Sequence, residues 1–421
     1  MTLQVFLERN GESIPVGRID GRDSSDAAFR YQSAYLSAQN STPLSVSLPL
    51  REEAFTPAQT KSYFDGLLPE GFTRRSLAER LHVDVNDYCG MLAVVGQECI
   101  GAIRVAPSPA QATTESYEKL HKNRLRSLAL RDASLPAEYM KETRLSLAGA
   151  SGKTGLYFDA SHDKWYLPKG TAPSTHIVKQ HHVRFRGIVT NEQLCMRTAA
   201  HLGLYVADSF ILEPVANDAE YALFATKRFD RIIPADAKKV SGLPRPLRLH
   251  QEDMAQALGI PAEKKYEPEG SAYLQKMFEL LRLQSADPIE DQKRLWEMVV
   301  FQCLIGNADA HLKNYALLYD GNLQSKRLAP LYDVVSTVIY KESTRKASMR
   351  IGDRTDLRAV NRQSLLLAAK EAHIGRGIAE EVIDRLTARF GDALANAAGE
   401  LLRAGFADAK RMAGTIREKM R

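Results

Sequence analysis

The sequence predicts an α+β protein with two lobes, in which a strand-rich part precedes a helix-rich part. Apolar residues alternate with polar ones at residues 3–7 and 45–50, as in half-buried strands. The stretches 364–386 and 393–412 are rich in Ala, Leu and Glu, which favour helices. The chain shows no internal repeat. We therefore expect the two lobes to be built from different elements.

Residues 1–108 are predicted to form a small N-terminal α+β subdomain. Apolar residues recur at helical spacing across residues 60–81. A run containing proline and threonine at residues 107–114 indicates a linker. Strands are expected at residues 3–7, 45–50, 91–96 and 99–105.

Two further regions follow this subdomain. Residues 140–232 are predicted to be a second α+β region, and residues 245–421 a helical C-terminal lobe with a loop region at 305–353. In the second region we expect a hairpin of 156–159 with 165–169, a strand at 176–179, a helix at 191–202 and a strand at 220–228.

Composition excludes several classes of protein. The 421 residues are 44% hydrophobic and 26% charged, which is ordinary for a globular protein. No uncharged apolar run approaches the roughly 18 residues of a membrane span, and the N-terminus lacks the pattern of a secretory signal. No CxxC pair occurs, so neither a zinc site nor a disulfide framework is indicated, and a cytoplasmic location is expected. The four scattered cysteines are Cys89, Cys99, Cys195 and Cys303.

The net charge does not by itself indicate a class of binding partner. The net charge is +6, which permits contact with nucleic acid or nucleotide phosphates without requiring either. The basic C-terminal run at 410–421 is explained by a helix end, because cations suit a helix C-terminus.

Asp309, Asn314 and Asp333 form the pattern that most clearly indicates chemistry. In protein kinases an Asp accepts the proton of the attacking hydroxyl, and an Asn five positions later with a further Asp holds the magnesium ions. An apolar run at 298–305 predicts a buried helix before the motif, and residues 315–328 predict a hairpin after it. The Asp/Asn/Asp pattern and these flanking elements together predict a two-lobed protein-kinase-like fold. The alternative is an Asp and an Asn that cap a turn.

A kinase also needs a glycine-bearing loop and a lysine against the phosphates of ATP. Gly149 and Gly152 offer the loop, since glycine lets the backbone approach a phosphate. Lys179, at the end of a predicted strand, offers the cation, and Glu192 could hold it by an ion pair. The alternative for Lys179 is a surface lysine at a strand end.

Two rival sites fit the sequence less well. Gly152-Lys153-Thr154 resembles the end of a P-loop, but Leu147 stands where that motif needs its first glycine, and strands follow rather than a helix. A zinc pair is disfavoured because the nearby histidines lack helical spacing. They are His176, His181 and His182.

Several segments together resemble the HipA family, the serine/threonine kinase toxins of bacterial toxin–antitoxin modules. The segments lie in family order and span most of the chain. They are residues 64–72, 146–154, 165–179, 191–196, 228–231, 248–254 with 265–267, and 306–314 with Tyr332-Asp333.

The resemblance implies roles for individual residues. It makes Asp309 the catalytic base, Asn314 and Asp333 the magnesium ligands, and Lys179 a contact of the ATP phosphates. The other implied nucleotide contacts are a phosphate loop of Ala148, Gly149, Ala150, Ser151, Gly152 and Lys153, a hinge of Lys227, Arg228 and Phe229, and the nearby His311 and Tyr332.

The resemblance also implies self-regulation. Ser146 matches the loop serine that such kinases phosphorylate on themselves, which is expected to turn the enzyme off. Family members often carry Gln-Glu where this chain has Ser151-Gly152, so Ser151 is a second candidate. They often carry an acidic residue in place of Lys227, so we expect adenine contacts from the hinge backbone.

The function implied is that of a cytoplasmic kinase that uses ATP and Mg²⁺ and acts as a toxin. A translation component such as an aminoacyl-tRNA synthetase is the implied class of target. The implied partner is a small helix-turn-helix antitoxin, through which operator DNA is mainly contacted, and no membrane partner is expected. Two alternatives stay open, namely a small-molecule kinase on the same fold and a non-catalytic subunit of a DNA-bound regulatory complex.

Overall fold

The computed structural model describes residues 1–109, 113–129, 152–181, 185–213 and 221–420. Its mixture of helices and sheets confirms the predicted α+β class. The chain divides into two compact units, each built from separate segments. Unit 1 comprises Met1–Gln180, Ala225–Ala262 and Leu317–Ser325, and unit 2 comprises His181–Phe224, Glu263–Ala316 and Lys326–Arg421. The contiguous division into 1–108, 140–232 and 245–421 stays a prediction.

The elements follow one another along the chain. The strands are β1 Thr2–Arg9, β2 Glu12–Asp20, β3 Ala28–Tyr31, β4 Ile103–Pro107, β5 Ser116–Lys119, β6 Lys153–Asp159, β7 Lys164–Lys169, β8 His176–Lys179, β9 Ser209–Leu212, β10 Leu223–Lys227, β11 Arg231–Ile232, β12 Lys239–Val240, β13 Leu243–Pro244, β14 Leu247–Arg248, β15 Gln251–Asp253, β16 Ala316–Tyr319, β17 Lys326–Leu328, β18 Lys346–Ile351 and β19 Arg354–Asp356. The α-helices are α1 Ser33–Leu36, α2 Pro57–Phe64, α3 Gly71–Leu81, α4 Tyr88–Val95, α5 Lys122–Ala129, α6 Ile188–His201, α7 Met254–Ala257, α8 Tyr273–Gln284, α9 Pro288–Ile305, α10 Arg362–Glu371, α11 Arg376–Arg403 and α12 Asp408–Lys419.

An antiparallel sheet of order β3-β2-β1-β4 forms the first part of unit 1. The strand predicted at residues 91–96 was wrong, because this run lies in α4. Asp87 begins that helix by accepting a hydrogen bond from the main-chain N–H of Gly90 at 2.9 Å. A continuous apolar run has no polar face, so periodicity does not separate a strand from a helix here.

The strand predicted at residues 45–50 was also wrong, since only an isolated bridge joins Ser45 and Leu48. Residues of this segment instead donate hydrogen bonds to the buried carboxyl group of Glu252. Ser45 and Tyr319 donate hydroxyl hydrogen bonds to Glu252, and the N–H of Val46 donates another at 3.1 Å. Burial raises the pKa of Glu252 to about 7. Polar side-chain contacts therefore replaced the expected strand pairing.

In unit 1, four strands of a second sheet run in the order β5-β7-β6-β8. The predicted hairpin is confirmed, because β6 pairs with β7 in antiparallel register across a turn. The predicted strand at 176–179 is confirmed as β8, which pairs antiparallel to β6. This sheet therefore holds Lys153 and Lys179, two of the predicted phosphate contacts.

Unit 2 is mainly helical. The buried helix predicted at 298–305 is confirmed as the last part of α9. The stretch 364–386, rich in helix-favouring residues, is helical in two parts, because His373 adopts a left-handed conformation (φ +57°) between α10 and α11. Gly405 (φ +94°) separates α11 from α12 in the same way. None of the helices within the described ranges combines the length and the hydropathy of a membrane span.

Candidate active site

The loop that carries Asp309 begins where α9 ends. Gly306 follows the helix with φ +70°, and its carbonyl accepts hydrogen bonds from the main-chain N–H groups of Thr337 and Val338 at 3.0 and 3.2 Å. The Thr337 hydroxyl donates to the same carbonyl at 3.1 Å and accepts from the N–H of Ala308 at 2.8 Å. These bonds fix the backbone on the residues just before Asp309.

Gly306→Ala is expected to destabilise the protein by about 1–3 kcal/mol. A Cβ there would lie 2.6 Å from the Val338 side chain and 2.9 Å from the Met420 sulfur, at a φ that alanine rarely adopts. Gly414→Ala is the matched control, because Gly414 lies in α12 with no atom within 4 Å of an added Cβ. The measurement is the melting temperature of each variant in thermal unfolding. Equal melting temperatures for the two variants would contradict the role given to Gly306.

The carboxylate of Asp309 is held from outside its own loop. The hydroxyl of Tyr266 donates to Asp309 Oδ1 at 2.6 Å. The main-chain N–H of Asp309 donates to Asn307 Oδ1 at 3.0 Å. Asp309 is half-buried, and Tyr266 is 47% exposed. The carboxylate is thus oriented by the protein yet accessible from solvent, as a general base must be.

His311 lies on the inner side of this loop. It is buried, and its ring meets the ring of Tyr266 edge-on at a centroid distance of 5.2 Å. Its main-chain N–H donates to the Asp309 carbonyl at 2.8 Å, and its own carbonyl accepts from the N–H of Asn314 at 2.9 Å. His311 therefore helps to shape the turn between Asp309 and Asn314.

Asn314 and Asp333 offer the oxygen atoms that a hard cation prefers. The side-chain N–H₂ of Asn314 donates to the Asp309 carbonyl at 2.9 Å, so its amide oxygen is the atom left for a ligand. Tyr332 donates its hydroxyl to the Lys313 carbonyl at 2.9 Å, which ties the Asp333 segment to the Asn314 loop. Asp333 has φ +57°, a strained conformation of the kind found at functional sites. This donor set fits Mg²⁺.

Unit 1 places two of the predicted phosphate contacts side by side. Lys153 on β6 and Lys179 on β8 are directly opposed in the antiparallel register, so both side chains lie on one face of the sheet. Both residues are buried. Gly152 extends this pairing, because its carbonyl accepts from the N–H of Gln180 at 3.5 Å. Two lysines at directly opposed positions on one face offer positive charge to a polyphosphate.

The rest of the predicted phosphate loop lies outside the described residues, as do both predicted phosphoacceptors. These positions are Ser146, Ala148, Gly149, Ala150 and Ser151.

The predicted hinge residues differ sharply from one another. Lys227 is exposed and Phe229 is half-buried, whereas the Arg228 side chain is 1% exposed. Arg228 forms two hydrogen bonds to Asp230, at 2.8 and 2.7 Å, and one to Glu98 at 3.2 Å. Its main-chain N–H donates to the Thr175 carbonyl at 2.9 Å. The guanidinium group of Arg228 is therefore structural.

Arg231 completes this buried ionic cluster. It contacts Glu98 at 3.0 Å and Asp230 at 2.9 Å. Burial alone would raise the pKa of Asp230, but the positive charges of Arg228 and Arg231 hold it well below its ordinary value. The cluster joins the N-terminal subdomain to the strand that ends at Lys227.

His176 is a core residue of the same sheet. Its ring contacts the rings of Phe158 and Trp165 edge-on, each at 5.5 Å. Its Nδ1 lies 2.8 Å from the Thr175 hydroxyl. Burial, with the nearby positive charge of Lys227, lowers the pKa of His176 to about 4. A neutral ring packed among aromatic residues explains this histidine without a metal.

Comparison with family models identifies the chain. Residues 3–106 match the model described as the HipA N-terminal domain, and residues 145–394, more than half of the chain, match the HipA-like C-terminal domain. The chain belongs to the HipA family. This confirms the resemblance seen in the sequence.

Relatives of this HipA-family protein are named as kinases. A Sinorhizobium fredii protein named "Putative kinase Y4mE" is 36% identical over 390 residues, which cover 90% of this chain and 89% of the relative. The "Serine/threonine-protein kinase toxin HipA" of Shewanella oneidensis is 27% identical over 370 residues, covering 85% of this chain and 81% of that one.

A solved structure confirms the fold class. It is that of the "Shewanella oneidensis MR-1 Toxin Antitoxin System HipA, HipB and its operator DNA complex". The match has a TM-score of 0.78 at 23% identity and covers 99% of this chain and 96% of that one.

Two residues of this HipA-family site were given no role from the sequence. Tyr266 precedes Asp309 by 43 positions, and Thr337 follows the motif. Neither belongs to the spacing that defines the motif, and their contacts arise from tertiary folding. The resemblance did single out residues 265–267, but it assigned them no chemistry.

Proposed function

We propose that this HipA-family protein is an ATP-dependent serine/threonine protein kinase with Asp309 as its general base. The supporting observation is the Asp309 carboxylate, oriented by Tyr266 at an accessible position, with the Asn314 amide oxygen on the same loop. Asp309 accepts the proton of the substrate hydroxyl as that oxygen attacks the γ-phosphorus of ATP. The bond from that phosphorus to the bridging oxygen breaks, and ADP leaves.

The remaining site residues bind and orient the nucleotide. Asn314 and Asp333 would hold Mg²⁺, which neutralises charge on the phosphates when bound. Lys153 and Lys179 would contact the phosphates from the sheet. The backbone next to the exposed Lys227 and the half-buried Phe229 would contact adenine, because the Arg228 side chain is occupied by its carboxylate partners.

We propose that the kinase acts as a toxin of a toxin–antitoxin module. It would phosphorylate a cytoplasmic translation component, such as an aminoacyl-tRNA synthetase, and be restrained by a helix-turn-helix antitoxin that contacts operator DNA. Two likenesses support this assignment: the Shewanella oneidensis relative is named a kinase toxin, and the matching structure is a complex of HipA with HipB and operator DNA. Growth arrest on expression of the wild type, but not of Asp309→Asn, tests it.

Incubation with radiolabelled ATP and a cell lysate tests the kinase itself. We expect a labelled protein band with the wild type and none with Asp309→Asn. A labelled metabolite without a labelled protein would instead show a small-molecule kinase. Stable ATP binding without turnover would show a non-catalytic subunit.

Ser146 is expected to be an autophosphorylation site that turns the enzyme off. A phosphate adds about −1.5 to −2 charges, which the ATP phosphates would repel. Phosphopeptide mapping of the wild type against Asp309→Asn locates the acceptor. Phosphate on Ser151 alone would make Ser151, not Ser146, the autophosphorylation site. If neither serine of the active enzyme carried phosphate, self-inactivation would be refuted.

Tyr266→Phe is expected to lower kcat by about tenfold with little change in the KM for ATP. The variant removes only the hydroxyl that orients the Asp309 carboxylate, and a hydrogen bond to a charged group is worth about 1.5–3 kcal/mol. Tyr205→Phe is the matched control, since Tyr205 is 44% exposed and its ring lies under Arg294. The measurement is the steady-state kcat and KM of the wild type and both variants. Equal kcat values for Tyr266→Phe and the wild type would contradict the positioning role of Tyr266.

A further inference from the structure

A small recess on unit 2 is lined mainly by positive charge. Its volume is about 150 Å³. Besides Val338 and Tyr340, its lining consists of four cationic and two hydroxyl side chains, and no carboxylate. We call it the basic recess, and these six residues are Lys341, Arg345, Arg358, Lys419, Ser343 and Thr344.

Three segments of unit 2 build the basic recess. The loop from Val338 to Arg345 supplies most of the lining, Arg358 lies in the 3₁₀ turn Leu357–Ala359, and Lys419 ends α12. The N–H of Leu357 donates to the Arg345 carbonyl at 3.2 Å, and Lys419 Nζ donates to the Val338 carbonyl at 2.7 Å. Hydrogen bonds therefore hold the three segments together.

The lining of the basic recess holds no carboxylate, although Glu342 stands in the same loop. Within the described ranges, none of its four cations forms an ion pair with a carboxylate. Asp356 comes near, but it accepts from the main-chain N–H of Arg358 at 2.9 Å. Cations that line one recess without a carboxylate partner attract an anion and supply charge-assisted hydrogen bonds.

The size and the donors select the kind of anion. A space of about 150 Å³ holds one phosphoryl group but not a nucleotide. A phosphomonoester presents three terminal oxygens and up to two negative charges. Arginine, lysine and hydroxyl donors from three chain segments match those oxygens. A phosphodiester presents fewer free oxygens. Its chain also continues on both sides of the phosphate, so the recess would have to be open at two ends.

The basic recess is linked to the candidate catalytic loop. Val338 lines the recess, and its N–H donates to the Gly306 carbonyl at 3.2 Å, three residues before Asp309. Tyr340 also lines a second cavity of about 450 Å³. Its other lining residues are Arg186, Ile339, Asp408, Arg411, Met412 and Thr415. That cavity offers space for a residue next to a phosphorylated one.

We propose that the basic recess binds a phosphoserine or phosphothreonine side chain of the protein substrate, so that the kinase favours a target already phosphorylated nearby. The phosphate chemistry follows from the recess, and the choice of a protein as its carrier rests on the proposed kinase function. Arginine-rich recesses are a recurrent means of phosphopeptide recognition.

Binding of a labelled peptide to the full-length Asp309→Asn protein without ATP tests this site. The probe carries one phosphoserine among alanines and glycines, and the same peptide with serine is the reference. We expect the phosphopeptide to bind about tenfold more tightly than the reference, and to weaken at high salt. Arg345→Gln and Arg358→Gln should each weaken it by about five- to tenfold.

Lys410→Gln is the matched control, because Lys410 is an exposed cation of α12 that lines neither cavity. It should leave phosphopeptide affinity unchanged. Equal affinities for the two peptides, or an equal loss with Lys410→Gln, would overturn the site. Inorganic phosphate or a short oligonucleotide that binds as tightly as the phosphopeptide would overturn its assignment to a phosphoprotein. Since ATP is absent, a negative result leaves the kinase assay unaffected.

Discussion

Replacing Asp309 with Ala or Asn is expected to lower phosphoryl transfer by about 10²–10⁴-fold while the protein stays folded. The carboxylate is half-buried in a turn, where it contributes little to core packing. Asn keeps the shape of the side chain but removes the negative charge that accepts the substrate proton. The measurement is the initial rate of phosphate transfer to protein at saturating ATP.

The matched control is Asp392→Asn, which makes the same chemical change at an exposed position of α11. It should retain the wild-type rate. Both variants should melt close to the wild-type temperature, which separates lost chemistry from lost folding. A folded Asp309→Asn protein that transfers phosphate at the wild-type rate would show that another group is the base.

Local sequence patterns predicted the parts of the molecule that depend on neighbouring residues. The β6–β7 hairpin and the end of α9 were predicted because alternation, turn residues and apolar runs act over a few positions. The close relation of Asp309 and Asn314 is similar. Their spacing is too short for them to lie far apart, and the Asn314 amide does reach the Asp309 carbonyl.

Long-range contacts were not predictable in this way. Glu98 meets Arg228 and Arg231 in a buried cluster, and no periodicity links residues 130 positions apart. The role of Arg228 therefore emerged only from the fold, which places its guanidinium among carboxylates. Tyr266 reaches Asp309 across 43 positions for the same reason. These contacts depend on tertiary packing, which the spacing of residues along the sequence does not predict.

Asn314→Ala and Asp333→Ala are each expected to raise the magnesium requirement for nucleotide binding by at least about tenfold. Each variant removes one predicted oxygen ligand, and Mg²⁺ demands a near-complete set of oxygen ligands. The measurement is a titration of ATP binding at limiting and at saturating magnesium. Asn396→Ala, at an exposed position of α11, is the matched control for the loss of an amide.

Excess magnesium separates the metal role from the other roles in the site. It should restore much of the nucleotide binding to the Asn314 and Asp333 variants, because bound metal would still neutralise the charge of the phosphates. It should not restore turnover to Asp309→Asn, which lacks the base. Lys179→Ala should need more ATP at every magnesium concentration, since that lysine is expected to meet the phosphates directly. Unchanged nucleotide affinity at limiting magnesium in both ligand variants would remove Asn314 and Asp333 from the metal site.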